Sequence, residues 1–310
     1  MENLRFLSYN KIDKEKWDLC IQKSINRKIY AFSWYLDVVS ETWDGLIYGD
    51  YELVFPIVSK KRFLFKKIYH PLFCQQLGPF SSNQNLLYNK DVLCAILNFL
   101  DKKYWKFEFS INHSFATIYK KNIADYYKDF NYFDRINLEL NLNSSYQDIL
   151  SNYSTNHKRS LKKKIDISVH YEHQCFNQID DQEIHRLVSV YKAKIGIQLS
   201  LKNQDYIIIE SLIKTLRFHK SGFFLSLKND SNELLAGAFF SSFFNRDILM
   251  FNFSDLSLKF NSMLFLIDAY IKTHSNTERI LDFEGSNLPV VKRFYRGFGA
   301  VEKNYIHIIK

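Results

Sequence analysis

The first half of the chain mixes short strands of alternating polarity with amphipathic helices. Residues 46–48 and 51–55 flank Gly49-Asp50, a two-residue loop of the kind that favours tight primed turns, so they predict a β-hairpin. The apolar residues of 89–103 recur at helical spacing and predict a helix. Residues 133–142 contain a further alternating strand.

The second half repeats this mixture in a more regular order. Its predicted elements are helices over residues 144–165, 180–194, 204–220 and 260–274 and strands over residues 222–228, 233–244 and 247–253. From Phe223 onward the order is β-β-β-α-β-α-β, and the first half is a rougher version of it. The sequence therefore predicts an α/β protein with mixed α+β sheets in two domains, residues 1–150 and 151–310.

A strand, a turn and a helix follow one another near the end of the chain. Residues 279–283 predict the strand, and Ser286 or Asn287 can cap the helix, which tolerates Pro289 in its first turn. Glycines 297 and 299 end the helix, because glycine readily adopts the left-handed conformation of a C-terminal cap. This combination of a carboxylate-bearing turn with a helix start predicts a functional site.

Two carboxylates and a tyrosine are the candidate catalytic residues of this stretch. Asp282 and Glu284 are alternate residues at the strand end, so they face the same side. A carboxylate there can take a proton from an attacking amine. Tyr295 is expected to be largely buried, with its hydroxyl directed to a polar partner. The alternative for Glu284 is a simple helix-end partner.

Composition narrows the classes of protein. Of 310 residues, 46% are apolar and 17% aromatic, which suffices for packed cores, and the net charge of +9 suits an anionic partner such as RNA, a nucleotide or a membrane surface. No window of about 18 uninterrupted apolar residues predicts a transmembrane helix, and the start lacks the apolar core of a signal peptide. With four scattered cysteines, a cytoplasmic protein with reduced thiols is expected.

Residues at the start of the 260–274 helix form a candidate anion site. Asn261 and Ser262 can cap this helix, and Lys259 adds a positive charge. The N–H groups and the positive dipole end of a helix start suit the phosphates of a donor. The Gly-rich loop of a typical phosphate site is missing, so an ordinary capped helix is the alternative.

Two further groups of basic residues are candidates for binding the donor. They are Lys292 and Arg296 in the last helix, and Arg159 and Lys163 in the basic run of residues 158–164. The members of each pair are four residues apart and share one helix face. Tyr153 and Asn156, one turn before the run, are candidate substrate contacts. A solvated, charged helix face is the alternative for both groups.

Other common sites are not predicted. The His-Tyr-Glu-His-Gln-Cys sequence of residues 170–175 fits a strand, and no second ligand pair stands at a zinc-like spacing, so no metal site is expected. Neither a Gly-x-Ser-x-Gly motif, nor a phosphate loop, nor a dinucleotide fingerprint is present, which disfavours hydrolase, NTPase and NAD-dependent functions.

Three stretches together resemble the FemABX-type peptidyl and aminoacyl transferases and their GNAT relatives. Residues 156–164, Asn-His-Lys-Arg-Ser-Leu-Lys-Lys-Lys, are similar to the basic stretch that follows the domain boundary in that family. Residues 283–300 resemble the family's ending, a strand with Asp or Glu and then a helix finishing in Phe-Lys-x-Gly-Phe-Gly. The Gln-Gln-Leu-Gly-Pro sequence of residues 75–79 resembles the segment that lines the groove of the first domain.

The resemblance spans the chain and implies two tandem GNAT-like domains. It implies transfer of an acyl or aminoacyl group to an amine, from acyl-CoA in some members and aminoacyl-tRNA in others, with Gln75 and Gln76 near the acceptor. Tyr295 stands where the FemABX pattern has lysine, and the long coiled-coil insertion of some tRNA-using members is absent. Both departures favour acyl-CoA as the co-substrate.

The resulting hypothesis is an N-acyltransferase whose C-terminal domain binds an acyl-CoA-type thioester. Glu284 would be the base, and the donor's phosphates would meet Asn261 and Ser262 with help from Arg159 or Lys292. The acceptor amine would belong to a cell-envelope precursor or to a sugar. A lipid-linked precursor would bring the protein into peripheral contact with a membrane. The alternatives are aminoacyl-tRNA-dependent transfer to a peptidoglycan precursor and a non-catalytic RNA- or anion-binding protein on a decayed transferase fold.

Overall fold

The computed structural model describes residues 3–62, 65–114, 129–163, 168–284 and 287–310. The chain divides into two compact units. The N-terminal unit comprises Met1–Ile136 together with Asn304–Lys310, and the C-terminal unit comprises Asn137–Lys303. The predicted mixture of sheets and helices is confirmed, and each unit has its own apolar core.

The described residues form the following elements. The strands are β1 (Leu4–Leu7), β2 (Trp43–Tyr48), β3 (Leu53–Arg62), β4 (Phe65–Ile68), β5 (Phe80–Ser81), β6 (Glu108–Ile111), β7 (Asn131–Asn141), β8 (Val169–Cys175), β9 (Gly222–Asn229), β10 (Leu234–Phe243), β11 (Arg246–Ser254), β12 (Ile280–Asp282) and β13 (Val301–Ile309). The α-helices are α1 (Lys14–Lys23), α2 (Ser33–Val39), α3 (Gln84–Leu87), α4 (Lys90–Lys103), α5 (Tyr146–Ser151), α6 (Thr155–Leu161), α7 (Asp181–Leu199), α8 (Asn203–Phe218), α9 (Ser262–His274) and α10 (Pro289–Arg296).

The N-terminal unit contains an antiparallel sheet in the order β1-β2-β3-β4, with β5 also pairing with β3. The predicted hairpin is β2–β3, but its loop is longer than expected. Tyr48 pairs with Leu53, so four residues separate the strands rather than two. Tyr51 adopts a left-handed conformation (φ 64°), and its hydroxyl accepts a hydrogen bond from the Asp13 N–H at 2.7 Å. This long-range contact helps to hold the four-residue loop in place.

Helix α4 packs on the core of this unit as its apolar spacing predicts. The Asn89 side chain accepts hydrogen bonds from the Asp91 and Val92 N–H groups, which caps the first turn. The buried face of the helix carries Val92, Leu93, Ile96, Leu97 and Leu100. These residues join the apolar side chains of the strands in one cluster.

The C-terminal unit contains strands in the order β7-β12-β11-β10-β9-β8. The β11–β12 pair is parallel, and the other pairs are antiparallel. Helix α9 connects the two parallel strands and packs on β9 and β10. Its side chains Leu266, Ile267 and Tyr270 are buried in the core of the unit. The predicted β-β-β-α-β-α-β order is confirmed over β9 to β13.

The single helix predicted over residues 144–165 is wrong. The chain forms two short helices there, α5 and α6, separated by residues 152–154. The Ser154 hydroxyl accepts a hydrogen bond from the His157 N–H, so Ser154 starts a new helix, and its own N–H donates to the Gly297 carbonyl at 2.8 Å. A serine cap inside an otherwise helical pattern marks this break.

Candidate active site

A cleft opens in the C-terminal unit where its two parallel strands separate. Strands β11 and β12 pair only from Arg246/Ile280 to Ile248/Asp282. Beyond that point β12 ends, whereas β11 continues to Ser254 with β10 along its other edge. Between Ile248 and Ser254, β11 therefore has an edge that no described strand covers.

A β-bulge bends β11 at the same point. Phe239 pairs with Phe251 and Phe240 pairs with Leu249, so Met250 is the extra residue of β11. A bulge bends its strand and increases the local twist, and bulges are common beside functional sites. The bulge and the early end of β12 together account for the divergence of the two strands.

The cleft has a volume of about 660 Å³, which is within the range of small-molecule sites. It is lined by α7, by β11, by the start of α9, by the turn after β12 and by α10. Its lining residues are Tyr191, Lys194, Ile195, Leu249, Met250, Phe251, Asn252, Ser254, Leu256, Asn261, Met263, Phe283, Glu284, Leu288, Val290, Val291, Phe294 and Tyr295. Two of the three predicted catalytic residues, Glu284 and Tyr295, thus lie in one cleft.

Glu284 lies at the cleft in an unusual backbone conformation. Its φ angle is 46°, in the left-handed region that non-glycine residues seldom adopt. Its N–H donates to the Asp282 Oδ1 atom at 3.2 Å, which holds the turn. Such conformations cost roughly 1–3 kcal/mol and cluster at functional sites, where surrounding contacts maintain them.

The catalytic role predicted for Asp282 is not supported by its surroundings. Asp282 is 1% exposed, and its Oδ2 atom lies 2.6 Å from Arg246 Nη1. Its Oδ1 atom accepts a hydrogen bond from Asn137 at 2.8 Å. Arg246 also pairs with Glu139 at 2.6 Å, so one guanidinium bridges two buried carboxylates. Asp282 therefore supports the site by fixing the backbone of Glu284. Its carboxylate is not among the residues that line the cleft, so it is not placed to act as the base.

Tyr295 is held in place by stacking and by one hydrogen bond. Its ring lies 4.6 Å from the ring of Phe283, with 19° between the ring planes. Its hydroxyl oxygen accepts a hydrogen bond from Asn252 Nδ2 at 3.2 Å, which leaves the hydroxyl proton available for a second partner. Burial raises the pKa of Tyr295 to about 12, and the charge of Glu284 acts in the same direction. The phenol is therefore protonated at neutral pH.

The predicted anion site at the start of α9 is only partly exposed. Asn261 lines the cleft and caps the helix, because its side chain accepts a hydrogen bond from the Leu264 N–H at 3.0 Å. Lys259 is exposed to solvent. Ser262 is 1% exposed, and its hydroxyl donates a hydrogen bond to the Leu235 carbonyl at 2.9 Å. The Ser262 side chain is therefore buried and does not face the predicted anion site.

A second cleft separates α6 from α10 and carries several of the predicted basic residues. Its lining includes Asn156, Lys292, Arg293 and Arg296. Sequence reasoning missed Glu302, which forms ion pairs with Lys292 at 2.9 Å and with Arg296 at 3.0 Å. Glu302 thus partly neutralises the two cations that were predicted to bind the donor.

Arg159 and Lys163 of the basic run are at the surface. Arg159 is exposed and donates a hydrogen bond to the Asn156 side chain at 3.0 Å. Lys163 is exposed and lies beyond the end of α6 at Leu161, so it does not continue the helix face of Arg159. The predictions for Lys164, Gly285 and Ser286 lie outside the described residues. Helix α10 begins after Leu288, which makes no side-chain cap, so Asn287 is not its N-cap.

Tyr153 and His157 connect α6 with the rest of the unit. Tyr153 is buried, and its hydroxyl donates to Asp268 at 3.0 Å, so the predicted substrate contact of this hydroxyl is not supported. His157 contacts the Phe294 carbonyl through Nε2 at 3.0 Å, and burial lowers its pKa. Gly297 is required beside it, since a Cβ atom there would lie 2.4 Å from the imidazole. The glycine predicted as a helix end therefore also makes room for a histidine.

Gln75 and Gln76 belong to the N-terminal unit. Gln76 is fully buried, and its Oε1 atom accepts a hydrogen bond from the His113 N–H at 2.9 Å. Its Nε2 atom donates to the Gln75 side chain at 2.6 Å. Gln76 therefore connects the Gln75 side chain with the backbone of His113. Gln75 is half-buried, and its contact with the acceptor remains a prediction.

Two residues of the site were missed because their partners are distant in sequence. Asn252 is a polar residue within the apolar run of residues 248–253, which is the sequence signal that could have identified it. Arg246 is a charge at a strand start, where an exposed side chain is the ordinary expectation. Within the described residues, no group of three or more His, Cys, Asp or Glu side chains is placed to bind a metal ion, and no helix is long and apolar enough to cross a membrane.

The two units of mixed strands and helices have a tandem GNAT-like fold, which several solved structures share. The crystal structure of FemX is similar, with 11% identity, a TM-score of 0.64 and coverage of 97% of this chain and 96% of that chain. L-PGS from Bacillus licheniformis is 12% identical, with a TM-score of 0.53 and coverage of 95% and 91%.

A tandem GNAT protein from the clavulanic acid biosynthesis pathway is 8% identical, with a TM-score of 0.53 and coverage of 99% and 97%. The sequence matches no protein-family model and no curated protein. At these identities the likeness establishes the fold, an acyltransferase fold, over nearly the whole chain.

Proposed function

We propose that this protein is an N-acyltransferase that transfers an acyl group from an acyl-CoA-type thioester to an amine. The observation that carries the proposal is the uncovered edge of β11 along the 660 Å³ cleft, with Glu284 and Tyr295 at its walls. The backbone N–H and C=O groups of such an edge pair readily with an extended ligand that carries amides. The pantetheine arm of CoA is a ligand of this kind.

The polar groups around the cleft support one orientation of the donor. The arm would extend along β11 past Asn252 toward Asn261, with its phosphates near the α9 start and the exposed Lys259. The thioester would then lie beside Glu284 and Tyr295. Because Ser262 is buried, Asn261 and Lys259 are the two members of the predicted anion site that this orientation uses.

The proposed reaction uses Glu284 and Tyr295 in different steps. The acceptor nitrogen attacks the thioester carbonyl carbon, a C–N bond forms, and the C–S bond breaks with its electron pair on sulfur. Glu284 takes the proton that the amine loses, directly or through one water molecule. The Tyr295 hydroxyl donates to the developing negative charge, on the carbonyl oxygen or on the leaving sulfur, and its pKa of about 12 keeps that proton in place beforehand.

Thermal unfolding in the presence of CoA, acetyl-CoA and bulk tRNA tests the donor class. A ligand that binds only the folded state raises the midpoint, by an amount equivalent to roughly 2.7 kcal/mol at 100 times its Kd. We expect both CoA compounds to raise the midpoint and tRNA to leave it unchanged. An unchanged unfolding midpoint with CoA and acetyl-CoA, at concentrations up to several millimolar, would contradict the proposal.

Aminoacyl-tRNA is the second candidate donor, and the α6–α10 cleft favours it. Three basic residues of α10 line that cleft, and Arg293 among them is exposed. Phosphates of a nucleic acid bind such groups with a strong dependence on salt. Stabilisation by tRNA that disappears between about 50 and 200 mM salt, without stabilisation by CoA, would favour this donor. In either case the acceptor we propose is a cell-envelope precursor or a sugar amine.

A further inference from the structure

The mouth of the β11–β12 cleft carries a cluster of exposed aliphatic side chains. Leu256 is 75% exposed, Leu288 is 60% exposed and Val290 is 82% exposed, and all three line this one cleft. A single exposed leucine is ordinary in a folded protein, but a cluster at a cleft mouth indicates an apolar ligand. We call these three residues the aliphatic rim.

Apolar side chains continue from the aliphatic rim into the cleft. Leu249, Phe251, Met263, Val291 and Phe294 line its inner part and are buried or half-buried. The polar groups Asn252, Tyr295 and Glu284 belong to the part where the strands separate. The cleft therefore has a polar side suited to a reacting group and an apolar surface that extends to solvent.

Formal charges are scarce along this surface. Among the described lining residues only Lys194 and Glu284 are charged, and Lys194 pairs with Asp255 at 3.0 Å. A donor with a charged acyl group would place that charge beside aliphatic side chains, where its loss of hydration is not compensated. An aliphatic chain meets no such penalty, and it gains from leaving water.

We propose that the acyl group transferred by this protein is an aliphatic chain longer than acetyl, held between the inner apolar residues and the aliphatic rim. This inference rests on the proposed function and specifies its donor. The thioester carbonyl stays beside Glu284 and Tyr295, so the bonds that form and break are those of the reaction above. The chain takes no part in the chemistry, and its burial contributes binding energy.

Calorimetric titration of the full chain with CoA and with its acetyl, butanoyl, hexanoyl and octanoyl thioesters tests the inference. Each methylene removed from water is expected to tighten binding about threefold, until the chain fills the cleft. The octanoyl thioester should therefore bind at least 100-fold more tightly than the acetyl thioester. Equal affinities for all four thioesters would overturn the inference and leave the proposed function standing.

Two substitutions test whether the aliphatic rim causes the dependence of affinity on chain length. Val290→Asn, at the aliphatic rim, should flatten the dependence of affinity on chain length. Val301→Asn is the matched control, because Val301 is also exposed, at 59%, and does not line the cleft. A slope that is unchanged by Val290→Asn, or flattened equally by both, would contradict the assignment of the rim. Failure of CoA and of every thioester to bind would overturn the proposed function together with the inference.

Discussion

At the scale of single residues, Glu284 is the side chain on which the proposed chemistry depends. It lines the cleft, it follows the last residue pair of the parallel strands by two positions, and its backbone is held in a left-handed conformation by Asp282. The sequence predicted its importance from its place at a strand end. It could not predict the backbone conformation, which depends on a hydrogen bond to a buried carboxylate.

Glu284→Gln separates the role of the charge from that of the shape. The amide keeps the size of the side chain but cannot accept a proton, so turnover should fall by about 10²–10⁴-fold while the affinity for CoA changes little. Steady-state kinetics and calorimetry measure the two effects. Glu278→Gln, at an exposed position outside the cleft, serves as the control. Unchanged turnover in Glu284→Gln would remove Glu284 from the mechanism.

Asp282 is a residue whose environment could not be predicted from the sequence. Strand alternation correctly places Asp282 and Glu284 two residues apart at one strand end. The two carboxylates nevertheless have different environments, because Asp282 is 1% exposed and ion-paired. The partner Arg246 is 36 residues away in the chain, and no local pattern identifies it.

At the scale of elements, the Arg246 ion pairs connect the strands that form the base of the site. Arg246 belongs to β11, Asp282 to β12 and Glu139 to β7, and all three side chains are largely buried. Buried ion pairs contribute little net stability, but removing one partner leaves an uncompensated charge. The strand pairs near the cleft are therefore sensitive to any change in these charges.

Arg246→Gln should consequently lower stability more than an ordinary surface substitution does. The amide cannot balance the buried charges of Asp282 and Glu139, so we expect the free energy of unfolding to fall by about 3 kcal/mol in urea denaturation. Glu183→Gln breaks a solvent-exposed pair with Arg186 and should cost less than about 1 kcal/mol. Equal, small losses in the two variants would show that the Arg246 ion pairs are not important for the sheet.

The elements themselves were largely predictable, and their ends were less so. The strands β9 to β11 and the helix α9 follow from apolar patterning and turn residues. The break between α5 and α6 depends on Ser154 as a cap and on its contact with Gly297, which is distant in sequence. The four-residue hairpin loop is likewise held in part by the contact between Tyr51 and Asp13.

At the scale of the whole molecule, buried histidines make stability dependent on pH. Burial lowers the pKa of His70 to about 4 and lowers the pKa of the buried His157 and His307 as well. His70 accepts a hydrogen bond from the Ser110 N–H at 3.2 Å through Nδ1 and contacts the Gln75 carbonyl through Nε2. Nδ1 can accept this hydrogen bond only in the neutral imidazole, whose proton is then on Nε2 and is donated to the Gln75 carbonyl.

The sign of the pH effect follows from these lowered pKa values. The unfolded chain binds protons near pH 6.5, before the folded state does, so stability is greatest above that pH and is lost as the pH falls toward 4. For His70 alone the loss approaches about 3 kcal/mol near pH 4. Urea denaturation from pH 7.5 to 4.5 should show this decline, and His70→Gln should reduce its slope. Identical slopes for the two proteins would contradict the role of His70.

The fold of the whole chain was predictable because both its order of elements and its final motif are local features. The site was predictable in part, since Glu284 and Tyr295 lie in one cleft whereas Asp282, Tyr153 and Ser262 are committed to internal contacts. The burial of each side chain could not be predicted from the sequence. The cleft itself depends on the bulge at Met250 and on the separation of β11 from β12.

Hydrogen–deuterium exchange with and without saturating CoA tests the central claim most directly. Binding along the uncovered edge of β11 should slow exchange of backbone amides in residues 249–254, at the start of α9 and in α10. Peptides from β8 and β9, away from the cleft lining, provide the internal reference. Slower exchange confined to the three cleft segments is the result we predict. Unchanged exchange in residues 249–254 at saturating CoA would contradict donor binding in this cleft.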